Sequence, residues 1–202
     1  MFYPLKPRPF SGGEPVAYWE NFLSDEQLEN LLSLDEWNQL LPGIIFGDGS
    51  DGQINKKTRN SKVAWLAYDD RTADLWETLS EAISKVNAEF FRFDLTGMYE
   101  HLQLSVYDST IEGNGHYNWH IDMGNSTDQP MRKLSMAMLL SDTSEFSGGE
   151  LQVKTSSDEV LDLEQQKGRA WFFPSWTLHR VAPVTSGVRK SLVVWIGGPP
   201  FK

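Results

Sequence analysis

Along this chain the spacing of apolar residues changes from a helical to a strand period near the middle. Leu28, Leu31 and Leu32 follow Ser24-Asp-Glu-Gln27, which has the form of a capping box, and predict a first helix at about 24–34. A longer helix is predicted over 71–91, where Leu75, Leu79, Ala82, Ile83, Val86 and Phe90 recur at helical spacing without Gly or Pro. Its apolar stripe reads as core. Val16–Trp19 and Lys62–Ala67 read as short strands, and between them a long loop at 42–61 carries Gly47, Gly49 and Gly52. From about residue 98 short strands alternate with turn residues: 101–107, 116–122, 133–140, 149–154, 159–163, 169–173, 178–183 and 188–196. Many short strands at that spacing predict a β-sandwich, with a jelly roll as the leading form.

Composition narrows the picture. With 202 residues, 40% apolar and 12% aromatic, the chain can close one substantial core, so 1–202 is expected to be a single domain. Within it, 1–97 would form helical support and a substrate-loop region, and 98–202 the jelly-roll core. Lys and Arg number 18 against 28 Asp and Glu, a net charge of −10 that repels phosphate backbones, so no nucleic-acid partner is expected. There is no cysteine, which excludes disulfides, iron–sulfur clusters, thiolate zinc sites and cysteine nucleophiles. A metal must be held by His, Asp or Glu. The longest apolar runs fall short of the roughly 20 residues of a spanning helix, so no membrane partner is expected. The first residues lack the pattern of a secretory signal. The cytoplasm is the expected compartment and a monomer the default state.

The strongest local feature is Tyr117-Asn-Trp-His120-Ile-Asp122. On a strand, His120 and Asp122 project from one face and form a preformed pair of ligands. A second histidine, His179, stands at the entry to another predicted strand. Two imidazoles and one carboxylate that leave coordination positions open are the arrangement expected of non-haem Fe(II) oxygenases. Taken singly, a His-x-Asp is also an ordinary surface or structural pair, and His179 a structural histidine. A third element adds weight: Arg189 and Ser191 share a face of the next predicted strand. A guanidinium facing into a sandwich needs an anion and fits a carboxylate bidentately, although a salt bridge to one of the chain's own acids would also satisfy it.

Over roughly 98–198 these residues, with Phe146-Ser-Gly-Gly-Glu-Leu151, Phe173-Pro-Ser175, His179-Arg-Val181 and Pro183-Val-Thr-Ser-Gly-Val-Arg189-Lys-Ser191, stand in an order that resembles the Fe(II)- and 2-oxoglutarate-dependent dioxygenases of the prolyl 4-hydroxylase type. The run from Phe173 to Trp195 resembles the bacterial PKHD-type hydroxylases. The resemblance implies a mainly β fold with supporting α-helices around a double-stranded β-helix (jelly-roll) core. It implies that His120, Asp122 and His179 bind iron, with no catalytic residue beyond the metal centre, and that Arg189 pairs with the distal carboxylate of 2-oxoglutarate. Ser191 would add a hydrogen bond there. Tyr107 occupies the place of a cosubstrate-binding tyrosine, although it would equally end a core strand. The implied cofactors are Fe(II), 2-oxoglutarate and O2, with ascorbate as an auxiliary reductant.

The implied activity is hydroxylation of a C–H bond with release of succinate and CO2, a peptidyl proline being the leading substrate and a peptide or protein the leading partner. A free amino acid or other small molecule is the alternative, and a non-catalytic jelly-roll binding module the alternative of a different class. Arg59, Tyr117 and Trp195 are the candidates to line the substrate approach. Trp195 shares parity with Arg189 and would also serve as core. Tyr117 has opposite parity to His120 unless a bulge intervenes. The segment Arg59-Asn-Ser61 resembles the one that closes over peptide in prolyl hydroxylases, and the cations Lys56, Lys57 and Arg59 are a further substrate-contact candidate. Trp65, Trp76 and Trp171 read as core aromatics, and the polar stretch 124–130 as a lid.

Overall fold

The computed structural model describes residues 16–45, 52–124, 130–155 and 157–200. The described residues form β1 (Ala17–Trp19), α1 (Asp25–Leu32), β2 (Leu41–Pro42), β3 (Arg59–Asn60), β4 (Lys62–Leu66), α2 (Ala73–Val86) and then nine more strands. These are β5 (Leu102–Asp108), β6 (His116–His120), β7 (Met131–Leu139), β8 (Phe146–Gly148), β9 (Leu151–Lys154), β10 (Val160–Leu163), β11 (Ala170–Pro174), β12 (His179–Val181) and β13 (Val184–Gly198). An eight-stranded sheet runs β1-β11-β7-β13-β5-β4-β2, with β8 also paired to β13. A five-stranded sheet runs β10-β9-β12-β6-β3. The strand pairings between named strands are all antiparallel. The fold is mainly β, a jelly-roll core with two supporting helices, as expected.

The alternation along the large sheet explains how one sheet serves two cores. Leu102, Leu104, Leu134, Met136, Met138, Phe172, Leu192, Val194 and Ile196 point to one face and pack against Leu28 and Leu31 of α1 and Leu75, Leu79, Ile83 and Val86 of α2. The opposite face meets the small sheet in a second core containing Tyr107, Leu139, Phe173, Leu151, Val153, Leu163 and Val181. The first face is apolar throughout. The second carries Gln103, Ser105, Ser135, Arg189 and Ser191, each at most 4% exposed. A sheet face that is buried and yet polar is the first structural sign of a ligand cavity.

Several boundaries differ from the expectations for local reasons. The helix expected over 71–91 is α-helical only to Val86. The Asn87 side chain then clasps Phe93, donating through Nδ2 to its carbonyl (2.9 Å) and accepting its N–H (2.9 Å), and a π-turn at Asn87–Phe91 ends in a left-handed Arg92. The capping box at Ser24 forms as expected. The expected loop 42–61 is partly ordered as strand, because β3 pairs with β6 and closes the edge of the small sheet. Trp65 is not a core aromatic: it is 43% exposed, on the second face of β4 at 6.1 Å from Trp195. Most of the expected lid, 125–129, lies outside the described residues. Among the described residues no helix is long and apolar enough to cross a membrane.

Candidate metal centre and cosubstrate cavity

His120 ends β6 and His179 begins β12, and the two are directly opposite in the antiparallel pair. Asp122 is not on the strand with His120, as its sequence spacing suggested. After His120 the chain leaves β6, and the N–H groups of Asp122 and Met123 both donate to the Ser175 carbonyl (2.9 Å each). That turn swings the carboxylate back between the imidazoles. His120 Nε2 lies 3.5 Å from Asp122 Oδ1, and His179 Nε2 lies 3.6 Å from Oδ2. One ligand atom from each residue falls within 4.8 Å of the other two. Donor atoms held about 2.1 Å from one ion at right angles are about 3 Å apart, so the triad is close to the spacing a shared ion needs.

The tautomers suit the same purpose. His120 Nδ1 faces the Asn118 carbonyl at 2.8 Å, and His179 Nδ1 faces the Thr177 carbonyl at 2.9 Å. A carbonyl only accepts, so each Nδ1 carries the proton and each Nε2 directs a lone pair to the centre. Burial holds His179 down to about 4, against the pull of Asp122, so its imidazole is neutral and ready to ligate. For Asp122 burial pushes upward, while attraction to His179 and a hydrogen bond from His120, interactions that require a proton on the facing nitrogens, hold the carboxyl well below the usual range; a cation between the three residues would replace those protons. The buried Trp195 indole N–H, which meets no acceptor at hydrogen-bonding distance among the described residues, is close enough to the carboxylate to add to that stabilisation.

Tyr117 is brought to the site by a bulge. Between His179↔His120 and Val181↔Tyr117 the register slips, so β6 spends one more residue than β12. Tyr117 and His120 therefore share a face despite their opposite parity. Arg59 lies 4.7 Å from the Tyr117 ring, but its guanidinium is buried and engaged: Nε donates to Ser61 Oγ (2.9 Å), Nη1 to the Ile44 carbonyl (3.2 Å) and Nη2 to Gln103 Oε1 (3.2 Å).

On β13, Arg189 is 3% exposed, directly opposite Tyr107 on β5. Its Nη1 donates to Ser191 Oγ (3.2 Å), its Cζ lies 5.6 Å from the Tyr107 ring, and its Nε is buried with no partner among the described residues. No carboxylate forms a salt bridge with it among those residues, so the ion pair considered from sequence is not what satisfies it. Burial lowers its pKa, offset by Tyr107 and Glu150. A narrow cleft bordered by Ala137, Leu139, Leu151, Leu163 and Trp171, and at its mouth by Glu164, Gln165, Gln166 and Arg169, reaches Arg189.

Sequence reasoning missed Arg132 and Glu100. Arg132 stacks 3.9 Å over Trp195, donates through Nη1 to the Asp122 carbonyl (3.2 Å) and forms a two-pronged pair with Glu100. No local pattern marks Arg132, since its neighbours come from three separate segments. Gln103 and Ser105 were also missed, although two polar residues alternating with leucines on a fully buried strand were a legible signal.

Comparison with known proteins agrees with the geometry. Residues 102–197 match the family model described as the 2OG-Fe(II) oxygenase superfamily. A PKHD-type hydroxylase of Gloeothece citriformis is 30% identical over 178 residues, covering 86% of this chain and 74% of that protein. Among solved structures, a prolyl hydroxylase from Trichoplax adhaerens, in complex with a hypoxia inducible factor oxygen degradation domain peptide fragment, aligns with a TM-score of 0.72 at 20% identity. It covers 92% of this chain and 84% of its own. A Pseudomonas putida prolyl-4-hydroxylase aligns with a TM-score of 0.67 at 18% identity, covering 93% and 95%.

Proposed function

This chain belongs to the 2OG-Fe(II) oxygenase superfamily, with PKHD-type hydroxylases among its relatives, and on that premise we propose that it hydroxylates a peptidyl proline at a centre held by His120, Asp122 and His179. It is a 2-oxoglutarate-dependent dioxygenase. The donor set fits Fe(II): two neutral imidazoles and one carboxylate that is already ionised, with room for further ligands. Bound there, iron would supply the oxidative chemistry, in which 2-oxoglutarate and O2 become succinate and CO2 as a C–H bond is hydroxylated. Ascorbate would serve as an auxiliary reductant.

The observation that carries the cosubstrate assignment is the buried Arg189. A guanidinium sealed between two sheets, its buried Nε without a partner among the described residues, is costly unless an anion meets it. 2-Oxoglutarate would place its distal carboxylate on Arg189, with Ser191 and Tyr107 beside it. Tyr117 and Trp195 would wall the approach of the substrate and keep water from the centre, with Arg59 behind Tyr117. An aromatic wall of this kind suits a pyrrolidine ring, and the exposed Trp65 beside Trp195 extends it outward.

The test is anaerobic addition of Fe(II) and 2-oxoglutarate, which should give the weak visible band of the chelate, followed by oxygen and measurement of succinate. His179→Ala should abolish the band, and Arg189→Ala should weaken 2-oxoglutarate binding far more than metal binding. Equal loss of both in Arg189→Ala would make Arg189 structural. Proline-rich peptides should stimulate succinate release; stimulation by free amino acids alone would replace the peptidyl reading with the small-molecule one.

A further inference from the structure

The polar face of the large sheet contains a hydrogen-bond chain whose direction is fixed by its first member. Arg59 has donors and no acceptor, so the Gln103 atom facing its Nη2 at 3.2 Å is the amide oxygen. The Gln103 amide nitrogen is thereby turned the other way and donates to Ser105 Oγ at 2.8 Å. Ser105 is fully buried, and among the described residues no acceptor takes its hydroxyl hydrogen. The same is true one strand away. Ser191 Oγ accepts from Arg189 Nη1, which leaves its hydrogen to donate.

Ser105 and Ser191 are directly opposite each other in the β5–β13 pair. Facing residues in such a pair have Cβ atoms about 5 Å apart, a separation that one carboxylate can bridge. Arg189 stands two residues from Ser191 on the same face, beside Tyr107. Hydrogen-bond donors thus outnumber acceptors on this part of the buried sheet face, a pattern that a ligand rich in lone pairs completes.

We propose that Ser105 is a further 2-oxoglutarate-binding residue, donating to the carboxylate held by Arg189, and that Gln103 and Arg59 are positioning residues that set the direction of its hydroxyl. The assignment rests on the cosubstrate reading of Arg189. It gives Arg59 two roles in one side chain. Arg59 backs Tyr117 on the substrate side and, through Gln103, orients a donor on the cosubstrate side.

Gln103→Glu separates this from a packing role. The substitution keeps shape and still accepts from Arg59, but a carboxylate has no hydrogen to give. Ser105 would then turn to donate to residue 103 and be lost to the ligand. Titration of the Mn(II)-loaded protein with 2-oxoglutarate, followed by calorimetry without turnover, should show affinity about five- to tenfold weaker in Gln103→Glu and in Ser105→Ala, about 1 kcal/mol on the usual conversion. The double variant should be no weaker than Ser105→Ala, because both remove one hydrogen bond. Mn(II) affinity should stay unchanged. If Ser105→Ala binds within twofold of wild type while Arg189→Ala has lost binding, Ser105 is no ligand and only this proposal falls. If wild type and Arg189→Ala bind alike, the cosubstrate reading itself falls. Additive losses in the double variant would overturn the relay. Thermal melts of each variant identify misfolding, and Ser105→Ala, which removes one buried atom and adds no charge, keeps the question decidable if Gln103→Glu fails to fold.

Discussion

The phenol ring of Tyr117 lies flat on the imidazole of His120, with centroids 3.5 Å apart and planes 13° from parallel. Of the two imidazoles His120 is the less buried, its side chain 15% exposed against 7% for His179. Tyr117 therefore covers the weaker side of the triad and fixes the ring plane of one ligand. Groups that orient a ligand typically contribute tenfold or more to metal affinity. Tyr117→Ala should weaken Mn(II) binding about tenfold in a calorimetric titration, and Tyr117→Phe should stay within about twofold. Unchanged affinity in Tyr117→Ala would mean that the Asn118 carbonyl alone orients the imidazole.

The same burial makes a pH prediction. Burial pushes the Tyr117 phenol up to about 12, above its ordinary value near 10. The neutral form is favoured in the folded state, so its contribution to stability is complete below pH 10 and is lost as pH rises toward 12. Wild type should lose stability over that window relative to Tyr117→Phe, as read from urea midpoints. Between pH 6 and 9 the two proteins should have parallel pH–activity profiles. An alkaline limb near pH 8 that disappears in Tyr117→Phe would contradict the assignment.

Arg189 owes its position to a glycine. At Gly149, φ is +67°, and an added Cβ would lie 2.9 Å from Arg189 Cδ and 2.8 Å from Val184 Cγ2. Gly149→Ala should therefore displace the guanidinium and weaken 2-oxoglutarate binding by about tenfold or more, with metal binding retained. Gly148→Ala is the control, since its Cβ would meet the Pro183 carbonyl at 2.4 Å and not Arg189. It should lower the melting temperature without a selective loss of 2-oxoglutarate. Identical behaviour of the two variants would assign the effect to backbone strain.

Arg132 braces the metal side. Its guanidinium ties the Asp122 carbonyl, the Trp195 face and the Glu100 carboxylate into one unit. Arg132→Ala should lower the melting temperature by a few degrees and weaken Mn(II) binding several-fold. Arg132→Lys, which keeps charge but not the planar fork, should recover only part of either. Full recovery by lysine would show that charge alone matters.

How much of this was legible in the sequence differs by residue. Arg189 and Ser191 were placed correctly on one face, since their strand is long and regular where they sit. His120 and Asp122 were paired correctly for an incomplete reason: the strand ends at His120, and a turn anchored on Ser175 brings Asp122 back. Arg59 was expected to contact substrate from a loop, yet it lies in a strand with its donors turned into the protein, because β6 offered an open edge for β3.

By itself the sequence determined the alternation of the strands, the helical stripes, the ligand types and the inward face of Arg189, because these depend on residue identity and near-neighbour spacing. Tertiary structure alone decided that His179 faces His120, that a bulge turns Tyr117 onto the site, and that Arg59, Gln103 and Ser105 form a directed chain across two strands. Register and bulges are set by how two sheets and two helices fill the space between them. No short window of sequence contains that packing problem.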